Sequence, residues 1–232
     1  MTDDYPLGYL GNPGWTDMSD YLVHMTGHGV VGRANLNSIL TSGEIRPGMR
    51  TGAARNLVEV PNQETTSFSE IPMGHLDRLV ARKGVYGVGF SKQALLAKGA
   101  APVWYLPLGT PVASHFSELV RHAMIGGIDP ADSIWKCTPF VDYPGVYSTA
   151  RYEFEWEREW RMPGLLSFDL SEVAIAFASE GEFWELTRRV SWHYLGDPDG
   201  GWYPRFMLDP TWDMETLQEK IDSQPSTWGP PE

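Results

Sequence analysis

Glutamate recurs at every second position through Glu153, Glu155, Glu157 and Glu159, and Arg161 continues the same register. Between them run Phe154, Trp156, Arg158, Trp160 and Met162. A period of two is that of a β-strand, whose successive side chains point to opposite faces, so Arg151 to Met162 is predicted to be a strand with one acidic face. Four carboxylates on one face repel one another. One reading is a solvated edge strand whose acids pair with Arg161 and neighbouring Lys or Arg. The other places Glu157 and Glu159 in a cleft, where a carboxylate stabilises a cationic sugar or activates a nucleophile. Trp156 and Trp160 are expected to pack in the core and fix the strand, with Arg158 stacked on their rings or paired with a buried acid.

Other polar residues give weaker signals. His24 lies between Val23 and Met25 in a short apolar strand, the ordinary setting of a hydrogen-bonded core histidine. His28 follows four residues later across a Thr-Gly turn, which is not a metal-ligand spacing. Cys137 is the single cysteine, so neither an internal disulfide nor a cysteine-based zinc site is expected, and no metal is assigned. The glycines at 84, 87 and 89 lack the third glycine and the strand-to-helix placement of a dinucleotide fingerprint, and a Walker motif is absent. Arg46 to Glu64, broken by Pro, Gly and Asn, reads as a long loop carrying Arg46, Arg50 and Arg55. These three cations are expected to hold phosphates of a substrate. The alternative is exposed ion pairs worth about 0 to 1 kcal/mol each.

The elements that must position these residues follow from hydrophobic spacing. Tyr21 to Thr26 reads as a strand, and Leu36, Ile39 and Leu40 as a helix ended by Gly43. Leu76, Leu79 and Val80 predict a second helix, followed by the run Tyr86 to Ser91, a short helix from Lys92 to Lys98 and a strand from Val103 to Leu106. Phe116, Leu119, Val120, Ala123 and Met124 share a helix face, stopped by Gly126 and Gly127, that is expected to pack on a sheet. Val173 to Ala178 reads as a strand, Phe183 to Leu186 as a helix start, and Trp212, Met214, Leu217 and Ile221 as a last helix. This mixture predicts an α+β fold in one domain over residues 20–223, with an extension at 1–19 and a loose Pro-rich tail at 224–232.

The totals agree with a folded domain. Of the 232 residues 42% are hydrophobic and 21% charged, too apolar for disorder. No run approaches the roughly 20 apolar residues of a membrane span, and the opening residues lack the basic and apolar parts of a secretion signal, so a cytoplasmic location is expected. A formal charge of −12 opposes non-specific attraction to nucleic acid. Arg46, Arg50, Arg55, Arg78, Arg82 and Lys83 cluster in the first half, where any polyanion site is expected.

Taken in order, Leu22-Val-His-Met-Thr26, Asn37-Ser-Ile-Leu40 with Ser42-Gly43, Phe68-Ser-Glu-Ile-Pro72, Tyr86-Gly-Val-Gly-Phe-Ser91, Pro102-Val-Trp-Tyr105 and Glu155-Trp-Glu-Arg-Glu-Trp-Arg161 resemble the AbiGi family of bacterial abortive phage-infection proteins. The last segment is the specific one. The same pieces look, more distantly, like the ADP-ribosyltransferase fold, particularly its DarT-like branch that modifies nucleic-acid bases. That likeness implies a mixed sheet with short helices, His24 holding the nicotinamide-side ribose, Glu157 stabilising the reacting sugar, and Glu159 completing a Glu-x-Glu pair. The middle pocket position falls on Ser69 or Tyr86.

Three functions follow from these resemblances. One is NAD-dependent ADP-ribosyl transfer to a nucleic-acid base. Another is a DNA glycosylase that excises a base, modified or not, from phage DNA without a cofactor. Both cleave an N-glycosidic bond and need a carboxylate near the developing sugar cation. The third is a non-catalytic antitoxin or phage sensor whose acidic surface engages a partner protein.

Overall fold

The computed structural model describes residues 18–70, 72, 75–147, 150–152, 155–196 and 204–223. The expected terminal segments therefore lie almost wholly outside the described residues. In chain order the first elements are β1 (Tyr21–Gly27), α1 (Gly29–Ser42), β2 (Glu44–Ile45), β3 (Thr65–Ser69), α2 (Leu76–Lys83) and β4 (Tyr86–Ser91). Next come α3 (Lys92–Ala97), β5 (Ala101–Pro102), β6 (Trp104–Tyr105), α4 (Pro111–Ala123), α5 (Ile134–Cys137), β7 (Val141–Asp142), β8 (Gly145–Tyr147) and β9 (Ala150–Tyr152). The last are β10 (Glu159–Pro163), β11 (Leu166–Ser167), β12 (Val173–Phe177), α6 (Phe183–Leu195), β13 (Phe206–Leu208) and α7 (Met214–Ser223). Strands and helices are interspersed, as the α+β reading expects. The chain divides into two compact units, one built from described residues of 1–44, 70–95 and 167–232 and the other from 45–69 and 96–166.

In the first unit the strand order is β13-β12-β4-β1. β4 runs antiparallel to β1 and to β12, whereas β13 lies parallel to β12. The glycines of β4 have a packing reason. A Cβ on Gly87 would lie 2.7 Å from the Met25 sulfur and 2.8 Å from the His24 carbonyl oxygen, and one on Gly89 would lie 3.0 Å from Ile175 Cβ. α1 turns Gly32, Leu36 and Leu40, spaced four apart, into the core and ends at Gly43 in the left-handed conformation. α6 buries Leu186, Thr187, Val190 and Ser191 on one face.

In the second unit the strand order is β3-β10-β5, with β10 antiparallel to both neighbours. Glu159 lies opposite Ser69, and Trp160 lies between Phe68 and Pro102. The 46–64 segment contains no helix or strand, as expected, yet it is tightly organised. Arg50 Nη2 donates to the carbonyls of Leu57 and Val60, both at 2.6 Å, and its Nε to that of Arg55 at 3.2 Å. Gln63 is fully buried, donating to the Trp135 carbonyl and accepting from the Thr138 hydroxyl.

Three expectations are corrected here. The strand over Arg151 to Met162 is interrupted: β9 ends at Tyr152, Glu155–Glu157 form a 3-10 turn, and β10 begins at Glu159. Arg158 at the junction has φ 43°, a left-handed conformation that breaks the period of two. Glu157 and Glu159 therefore do not share a strand face, and Glu155 is exposed while Glu157 is buried. The Val103 to Leu106 strand is instead two short strands, β5 and β6, on either side of Val103, whose N–H bonds the Glu159 carbonyl at 2.9 Å. α4 does not lay its apolar face on a sheet. Val120, Phe116 and Ala123 pack with Ala54, Val60 and Trp135, because the long loop and α5 supply the apolar surface that such a face requires.

Candidate functional site

The second unit holds most of the sequence-predicted site residues. β10 is covered on both sides, so neither an exposed edge nor an open acidic face results. Arg161 is 3% exposed and grips the Glu159 carboxylate with two donors, Nε to Oε1 and Nη2 to Oε2, both at 2.9 Å. Ser67 Oγ, one strand away, donates to the same Oε1 at 2.8 Å. Arg161 Nη2 also meets Asp142 Oδ2 at 2.7 Å, and its Nη1 donates to the Pro139 carbonyl at 2.8 Å. Arg55 Nη1 approaches Asp142 Oδ1 at 3.2 Å. Two carboxylates thus face two guanidiniums. The fork of arginine matches a carboxylate in two parallel bonds, the geometry in which a buried pair offsets its desolvation.

The electrostatics follow from that packing. Burial alone would push the Arg161 guanidinium down, but its hydrogen bonds and attraction to Glu159 and Asp142 outweigh this and raise it, so it stays charged. Burial raises the Tyr105 hydroxyl well above the usual phenol range, helped by the Glu159 charge and, more weakly, by that of Glu157. Glu157 sits in the turn preceding β10, 5% exposed, with its Oε1 atom shielded from solvent. Ser69 is buried at 6% beside Glu159. Arg46 is exposed, and Arg50 directs a further donor to Glu64 at 3.5 Å.

The first unit holds His24 and Tyr86. His24 is half-buried on β1 opposite Val88. The Tyr86 hydroxyl donates to Glu182 Oε2 at 2.8 Å, and burial together with that bond raises its pKa. Arg33 pairs with Glu182 at 3.2 Å and also with Glu185. The recess between Arg33, Leu36, Tyr86 and Glu182 is about 10 Å³, room for about one water molecule.

The structure therefore brings Glu159 and Ser69 together, draws Arg55 into the same ion network through Asp142, and turns Arg50 inward on its own loop. Asp142, Ser67 and Tyr105 escaped the sequence reading because their link to Glu159 runs through strand pairing and loop folding, with no local spacing to announce it. Arg161 was legible as the cation of the acidic face. Among the described residues no group of His, Cys, Asp and Glu is arranged to hold a metal ion, and no helix is long and apolar enough to cross a membrane.

A protein-family model described as "Putative abortive phage resistance protein AbiGi, antitoxin" matches residues 49–183, more than half of the chain. No curated protein and no solved structure matches. The likeness to DarT-like transferases thus rests on the sequence segments quoted for it. The matched region takes in the loop from Met49 onward with Arg50 and Arg55, the Glu159–Arg161–Asp142 network and the turn with Glu157, and by this match the chain belongs to the AbiGi family of abortive phage-infection proteins.

Proposed function

We propose that the chain serves abortive phage defence as an antitoxin, by binding a partner protein whose activity it restrains. The observation that carries this reading is the state of the family's most specific segment. Glu159 accepts two bonds from Arg161 and one from Ser67, so its carboxylate is already committed to protein donors. A general base or nucleophile needs a lone pair within reach of substrate, and this geometry instead fastens β10 to β3 and β7. Tyr86 and Arg50 are engaged in the same inward manner. The description of the matching family, which names an antitoxin, points the same way.

One observation favours a second reading. Glu157 is a buried carboxylate next to this network, and a fixed negative charge in a low-dielectric site stabilises an oxocarbenium-like sugar strongly. On that reading Glu157 supports cleavage of an N-glycosidic bond in phage DNA or RNA, with NAD as the sugar donor if the reaction is a transfer and with no cofactor if a base is excised. Incubating the protein with unmodified DNA, phage DNA and RNA, each with and without NAD, separates the two. The antitoxin reading expects neither mass addition nor abasic sites. NAD-dependent mass gain, or abasic sites without NAD, lost in Glu157→Gln, would establish the second reading instead.

A further inference from the structure

α6 has a second face. Its buried side carries Leu186, Thr187, Val190 and Ser191, and the opposite side presents Trp184, Arg188 and Trp192 at successive i, i+4 positions. Trp184 and Trp192 are 59% and 62% exposed, and Leu195 continues the stripe at 57%. Two tryptophans roughly 12 Å apart along one helix, at 1.5 Å per residue, frame a shallow groove. The groove has a volume of about 440 Å³ and is lined by Trp184, Glu185, Arg188, Arg189 and Trp192. Tryptophan and arginine are the residues most enriched where binding energy concentrates.

Charge decides what fits. Glu185 is matched by Arg189 at 3.3 Å and by Arg33. Arg188 lies 5.6 Å from the Trp184 ring centre and pairs with no carboxylate among the described residues. The five lining residues carry two positive charges and one negative, on a chain whose formal charge is −12. A basic aromatic groove on an acidic protein suits an acidic, apolar segment. A second copy fits poorly, because a two-fold axis through the centre of the stripe would set Arg188 against Arg188. A nucleic acid is opposed by the overall charge and by Glu185.

Resting on the antitoxin reading, we infer that this face of α6 is the docking site for an acidic segment of the partner protein, with apolar side chains against Trp184 and Trp192 and a carboxylate on Arg188. The face, Trp184 to Leu195, follows the family-matched residues 49–183. The test uses the full-length chain in its native host. On the antitoxin reading, deleting its gene causes growth arrest, mutations that restore growth locate the gene of the toxic protein, and that protein is the probe for co-purification. Trp184→Ala with Trp192→Ala, and separately Arg188→Glu, should weaken retention of the toxic protein at least about tenfold and fail to relieve arrest. Arg188→Lys should relieve it substantially, and all variants should melt like the wild type because the residues are exposed. Variants that relieve arrest like the wild type would overturn the docking site and leave the antitoxin reading standing. A dimer in light scattering that the tryptophan variants dissociate, or an oligo-dT affinity that they abolish, would assign the face to a second copy or to nucleic acid and overturn it equally. If deletion causes no arrest, the antitoxin reading fails and this inference falls with it.

Discussion

Arg161 and Tyr105 make the residue-scale argument testable in solution. Removing Arg161 leaves the buried Asp142 and the half-buried Glu159 without their shared cation, and breaking a buried pair from one side costs about 3 to 5 kcal/mol. Arg161→Ala should therefore lower the urea midpoint sharply, and a loss no larger than that of an exposed ion pair would show the network to be marginal. Tyr105 gives the alkaline counterpart. Its unfolded hydroxyl ionises near 10.0, and burial beside Glu159 raises the folded value. Above pH 10 the folded chain then holds a proton that the unfolded chain has released, so stability present below that pH is lost as pH rises. Tyr105→Phe should show a shallower fall in melting temperature above pH 10, and identical slopes would contradict the burial argument. In the sequence, the alternation of Glu159, Trp160, Arg161 and Met162 correctly announced a strand with Trp160 in the core and Arg161 as a cation for the acids. Glu157 was misplaced because the left-handed backbone at Arg158 has no signature in residue type, arginine being as ordinary in a strand as in a turn.

At the scale of elements, hydrophobic spacing and stop signals served well. The α1 helix ends at Gly43 and β12 begins at Val173, each where the sequence places it. What spacing does not reveal is the surface an amphipathic face packs on, which is why α4 was assigned to a sheet and instead covers the ordered loop. Gly32 and Gly29 make a contrast within one helix. Alanine in a helix interior is ordinarily better than glycine by about 1 kcal/mol, yet a Cβ on Gly32 would come 2.2 Å from the Gly27 carbonyl oxygen. Gly32→Ala should destabilise well beyond that amount, because the clash is with backbone. Gly29→Ala meets open space and only its φ of 52° opposes it, a cost of about 1 kcal/mol. Chemical denaturation of both variants checks the order; a stabilised Gly32→Ala would refute the close approach of α1 to the β1 terminus.

For the molecule as a whole, the −12 charge, the inward commitment of Glu159, Arg50 and Tyr86, and the outward basic groove of α6 belong to one account, in which the chain acts by occupying another protein. Hydrophobic spacing was enough to announce the α+β class, and the resemblance carried by the ordered segments announced the family. The basic groove of α6 was readable in principle from tryptophan, arginine and tryptophan at i, i+4 and i+8, but that spacing describes a buried stripe equally well until the opposite face is seen to carry Leu186 and Val190. The central claim is tested most directly in cells that keep the rest of the locus but lack this gene, by measuring recovery of growth when either the wild-type chain or Glu157→Gln, matched in level and melting temperature, is supplied. Binding without turnover predicts equal recovery. Recovery by the wild type and none by Glu157→Gln would contradict it and return Glu157 to the centre of a reaction.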